Sequence, residues 1–86
     1  MNKHNSNISV LDGYPRDKGH DEQISLNFVS LFSSPAGAEV LKYLRSITIE
    51  YVNGPTVTTD ELRHIEGQRY LVGVIEQRIR HAHNHK

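Results

Sequence analysis

From Thr58 to His81 the chain carries no proline and no cluster of turn residues, and this stretch constrains the fold more than any other. It opens on Thr58-Thr59-Asp60-Glu61. Thr58 and Glu61 have capping-box spacing, in which each side chain satisfies a backbone N–H at the other's position. A continuous helix to about His81 follows, a rod of roughly 35 Å at 1.5 Å per residue. Its apolar positions are Leu62, Ile65, Leu71, Val72, Val74, Ile75 and Ile79. Placed 100° apart, most of them span about half the circumference, and Val74 falls outside that arc. An arc this wide exceeds what one neighbouring helix covers. It predicts two shorter helices packed against the rod, with a remainder that meets another chain.

The shorter helices are legible upstream. Ser33 and Ser34 are candidate N-caps, and Pro35 suits a first helical position, where its missing N–H is not needed. Val40, Leu41, Leu44, Ile47 and Tyr51 then recur at three- and four-residue steps. The end of this helix has two readings. Ile47, Ile49 and Tyr51 alternate with polar residues before Asn53-Gly54, which suits a short β-hairpin over 47–58. Alternatively, the helix runs to near Tyr51 and Asn53-Gly54-Pro55 terminates it, a reading favoured because Pro55 sits right after the turn. Before it, a helix is expected from about Asp21 to Phe32, with Asp21 and Glu22 at the positive end of its dipole and Ile24, Phe28, Leu31 and Phe32 on one apolar face. Residues 1–20 are rich in Asn, Ser, Asp, Gly and Lys and bury too little apolar area to offset ordering. They read as a flexible polar tail, or as one that orders on a partner through Ile8, Val10, Leu11 and Tyr14. The expected architecture is all-α: a tail (1–20), one three-helix domain (21–82) with a long C-terminal helix, and a histidine-rich end (83–86).

Size and composition narrow the function classes. At 86 residues the chain is at most one domain, and such a small domain is marginally stable alone. With no cysteine, disulfides cannot reinforce it. Ten basic and ten acidic residues balance to zero, so no global field draws the chain to DNA or an anionic membrane, and none resists self-association. No stretch approaches the roughly 20 apolar residues of a membrane span. The first 20 residues hold no apolar core of a secretory signal, which makes the cytoplasm, or a particle built there, the expected location.

Catalytic groupings are lacking. There is no cysteine, no Gly-x-Ser-x-Gly elbow and no glycine-rich phosphate loop. His64-Ile65-Glu66 lacks the His-Glu-x-x-His spacing of a helical zinc site. His81, His83 and His85 fall at a terminus without an evident fourth ligand, so no metal and no cofactor are expected. Arg78, Arg80, His81, His83, His85 and Lys86 form a basic end suited at most to weak phosphate contact with nucleic acid. The most distinctive local motif is Glu66-Gly67-Gln68-Arg69. Glycine within a helix costs roughly 1 kcal/mol relative to alanine, so Gly67, and Gly73 after it, point to close approach of another backbone. On that reading a bulky residue at Gly67 disrupts packing or assembly. Glu66 and Arg69 share a helix face, either as a surface ion pair or as a half-buried pair that fixes the register of the long helix.

From Asn27 to Arg80 these pieces resemble a small domain family encoded among the head and portal genes of tailed bacteriophages. The resemblance lies in Phe28-x-x-x-Phe32, in Pro35-Ala36-Gly37 leading to Val40-Leu41, and in Glu66-Gly67-Gln68-Arg69 followed by the apolar helix from Leu71 to Ile79. It implies virion assembly or a minor virion component, and it carries over no catalytic residue. Capsid, portal or ejection proteins are the implied partners, with a homo-oligomer also open. Phe28, Phe32, Gly37, Leu41, Glu66, Gly67, Arg69 and Gly73 are the expected packing or interface positions. The rival reading is a phage regulatory or host-takeover protein that binds a host protein or nucleic acid.

Overall fold

The computed structural model describes residues 7–84. Two short antiparallel strands, β1 (Ile8–Ser9) and β2 (Arg16–Asp17), precede three helices: α1 (Lys18–Phe32), α2 (Pro35–Ile47) and α3 (Thr59–Asn84). The three-helix reading with a long C-terminal helix is borne out. Of the expected polar tail, residues 1–6 lie outside the described residues, while residues 8–17 pair into a hairpin. Gly13, at φ +89°, supplies the left-handed turn that the hairpin needs, and its N–H donates to Val10 O. Asp12 braces the same turn by accepting from the Tyr14 N–H.

Each helix starts where a side chain can take up a free N–H. Asp17 caps α1 by accepting from His20 N, so α1 begins three residues before the expected Asp21. Ser34 accepts from Gly37 N and Pro35 takes the first turn of α2, as the sequence suggested. Thr58 Oγ1 accepts from Glu61 N at the start of α3. The segment 47–58 contains no strand: α2 stops at Ile47, and its end is turned by Thr48, whose hydroxyl donates to Leu44 O. The helix therefore ends four residues before Tyr51, and Thr48 caps it in place of Asn53-Gly54-Pro55.

The helices form a flat body with Cα extents of 52 × 34 × 14 Å. The radius of gyration is 16.1 Å, against about 12 Å for a compact domain of this length. Little apolar surface is enclosed. Among the described residues, Val72 and Ala82 of α3 are the buried apolar side chains, whereas Asp21, Ser25, Thr48 and Arg78 are buried polar ones. The wide apolar arc of α3 is thus only partly covered by α1 and α2.

Glycines divide sharply. A Cβ on Gly37 would lie 2.0 Å from Leu31 O and 2.9 Å from Phe32 Cα, so the α1–α2 corner closes only around a residue without a side chain. Gly67 and Gly73 meet nothing within 4 Å, so the close approach expected at both is not made among the described residues. Gly37→Ala should destabilise the fold by about 1–3 kcal/mol, because backbone must shift to admit the methyl. Gly67→Ala should be neutral or stabilising by up to about 1 kcal/mol through helix propensity. Chemical denaturation of the two variants checks both directions.

Candidate functional site

Two constellations stand out, one polar and one apolar. The polar one joins the hairpin, α1 and α3 around Arg78, which is 3% exposed. Arg78 Nη1 donates to Asp21 Oδ1 at 2.7 Å, to Asp21 O at 3.1 Å and to Ser25 Oγ at 3.2 Å, while Nη2 donates to Asp12 Oδ2 at 3.2 Å. Ser9 Oγ donates to the other Asp21 oxygen at 2.8 Å, and Arg16 Nε donates to Asp12 Oδ2. Ser25 Oγ lies 2.7 Å from His81 Nδ1. Burial tends to raise the Asp21 carboxyl. Hydrogen bonds from Ser9 and Arg78, with the charges of Arg78 and His81, outweigh it and hold the group below the ordinary carboxylate value. Asp12 is lowered too: burial opposes, and the Tyr14 N–H, Arg16 and Arg78 prevail.

This arrangement is a clasp with its ligands already inside the chain. The basic end is correspondingly smaller than the sequence implied. Arg78 is consumed by the clasp and His81 contacts Ser25, while Arg80 and His83 remain exposed; His85 and Lys86 lie outside the described residues. Among the described residues no three His, Asp or Glu side chains converge as a metal site requires. No helix among them is long and apolar enough to cross a membrane.

The apolar constellation lies between α2 and α3. Leu44, Ile47, Thr48, Gln68, Leu71 and Val72 line an open groove of about 220 Å³. Val72 forms its floor and is buried, whereas Leu71 and Ile47 stand 64% and 48% exposed. Its frame is electrostatic. Arg69 Nε donates to Thr48 O at 2.9 Å and Nη2 to Tyr51 O at 2.8 Å, while Nη1 donates to Glu66 Oε1 at 2.7 Å. Arg69 therefore ties the carbonyls at the end of α2 to α3, and the more exposed Glu66 orients it. Arg69 of this pair is half-buried and Glu66 is exposed. Arg45 reaches from α2 to Glu76 of α3 and to Glu50.

The remaining expected positions lie on α1 and α2. Phe28 and Phe32 stack at the end of α1 with ring centroids 6.2 Å apart, both half-buried. Gly37 packs on the backbone of Leu31 and Phe32, and Leu41 is half-buried on α2.

A family profile described as Bbp19-like phage protein matches residues 28–84. The chain belongs to this phage protein family. The phage resemblance read from the motifs is thereby borne out, and the match begins at Phe28, the first residue of the Phe-x-x-x-Phe stretch. No curated protein and no solved structure matches the chain. The matched segment contains the whole α2–α3 groove and its frame, whereas the hairpin, Asp21 and Ser25 precede it. The clasp thus fastens the preceding segment onto the family segment through Arg78.

Removing one member of a buried ion pair leaves the other charge uncompensated, which costs about 3–5 kcal/mol. Asp21→Ala and Arg78→Met should each destabilise the fold on that scale in denaturant titrations. Because the folded-state Asp21 and Asp12 carboxyls are lowered from 3.8, their contribution is fully present above the unfolded value and is lost as pH falls through and below it. Wild-type stability should drop steeply on acidification below about pH 4, and Asp21→Ala should flatten that slope.

Proposed function

We propose that this chain is a non-catalytic protein of the phage virion or of its assembly, which docks on capsid, portal or ejection components through the α2–α3 face. The carrying observation is that α2 sets its apolar residues along one face yet buries none of its thirteen residues within the chain. A helix patterned this way gains most of its stability from packing that face, so one that the chain covers only in part calls for another protein. Exposed Val40, Tyr43 and Ile47 continue the rim of the groove, and contiguous apolar surface of this kind marks interaction sites on soluble proteins.

The charged groups support a binding role over a catalytic one. Asp12, Asp21, Arg78 and His81 are engaged in the clasp, and Glu66 and Arg69 are engaged at the end of α2. The groove itself carries Thr48 and Gln68 as its polar side chains and no ionisable group. On this reading the protein works in the virion, or in the host cytoplasm during assembly.

Quantitative mass spectrometry of purified particles and of their assembly intermediates tests the proposal. The expected result is a fixed copy number in one or both, reduced at least tenfold for Leu71→Asp, whose exposed position leaves the fold intact. Absence of the wild-type chain from particles and intermediates alike would overturn it.

A further inference from the structure

Resting on the docking reading above, we infer that the first occupant of the α2–α3 groove is a second copy of this chain, held in a two-fold, antiparallel α2–α2 contact. Three observations lead there.

The first is shape. A groove of about 220 Å³ exceeds the roughly 150 Å³ of an apolar cavity that holds a benzene ring. It therefore accepts one aromatic side chain. Tyr43 is 61% exposed and lies one position before Leu44, which lines the groove. Val40, Tyr43, Leu44 and Ile47 follow the i, i+3, i+4, i+7 pattern of a single helix face. Antiparallel pairing about the midpoint between Tyr43 and Leu44 sets Tyr43 opposite Leu44 of the second copy and Val40 opposite Ile47. Each copy then supplies both the aromatic plug and the groove, the self-complementarity that an isologous interface requires.

The second is charge. The ions nearest the groove are already compensated within the chain: Arg45 by Glu50 and Glu76, and Arg69 by Glu66. Exposed Glu39 lies beside Tyr43 on α2, and the antiparallel register sets it opposite Thr48 of the second copy, not against its own counterpart; the whole chain has a formal net charge of zero. Two identical faces can therefore meet without like-charge repulsion.

The third is area. A single aromatic side chain covers about 150–250 Å² when buried. Tyr43, Val40, Ile47 and Leu71 are exposed along the face, and Tyr51 and Val52 are exposed in the segment that leaves α2. The α2 residues with Leu71 offer several hundred Å² per copy, below the roughly 800 Å² per partner of a standard specific pair and fitting a weak, concentration-dependent dimer.

Light scattering coupled to size exclusion, run on the full chain from micromolar to millimolar concentration, should give a dimer. Tyr43→Glu should raise its dissociation constant at least tenfold with the helical circular dichroism unchanged, while Tyr70→Glu should not. The chain has no cysteine, so single substitutions report proximity directly. Tyr43→Cys, beside the two-fold axis, should oxidise to a covalent dimer, and Leu62→Cys, far from it on α3, should not. This pair keeps the test decisive even if Tyr43→Glu loses helix. A monomer throughout, or equal cross-linking of the two cysteine variants, overturns the inference. A monomer that still incorporates into particles leaves the docking reading standing and assigns the groove to a different protein.

Discussion

The guanidinium of Arg78 is the point on which the rest of the structure depends. An enclosed arginine must find acceptors for its donors, and here they come from two other elements, Asp12 from the hairpin and Asp21 and Ser25 from α1, so that the α3 arginine joins three. Val72 and Ala82 are a small apolar core for a chain of this length, so hydrophobic burial alone discriminates weakly among packings of α1 on α3. The clasp discriminates strongly, because a shifted register leaves a buried charge unpaired. It also explains why a hairpin of two residues per strand, marginal in isolation, holds its place: Ser9 of β1 and Asp12 of the turn are both fastened to the clasp.

A second polar contact organises the other end. Arg69 gathers the carbonyl of Thr48, the C-cap of α2, and that of Tyr51 in the linker that follows. The linker is thereby held to α3, and the apolar residues at the end of α2 stand apart from α3 with a groove between them. Polar contacts fix the frame, and apolar side chains are left outward. The family match, residues 28–84, contains the segment in which that apolar surface lies.

What the sequence made legible follows from the range of the interactions involved. The starts of α2 and α3 were readable because Ser34 with Pro35, and Thr58 with Glu61, act within one helical turn. The length of α3 was readable because nothing interrupts it. The clasp was not, since Asp12 and Asp21 lie 66 and 57 positions from Arg78 and share no periodic pattern with it. Asp21 therefore read only as a dipole partner, and Arg78 as part of a basic end. Residues 8–17 were hidden by composition: their order comes from Asp12 and Ser9 bonding outward, not from apolar alternation. The alternation after Ile47 suggested a strand because nothing local reveals that Arg69 binds the carbonyls of Thr48 and Tyr51. Of the site, Arg69 and Glu66 were identified in advance by their spacing, whereas Leu71 appeared only as one apolar position among seven.

Native-state amide hydrogen exchange on the wild-type chain at low micromolar concentration reaches the central claim most directly. If the Arg78 clasp is the anchor, the slowest-exchanging amides should lie in α1 and α3 around Ser25 and Arg78, with α2 exchanging faster because it buries none of its residues in the single chain. Slowest exchange in α2, together with rapid exchange of the amides around Ser25 and Arg78, would contradict it.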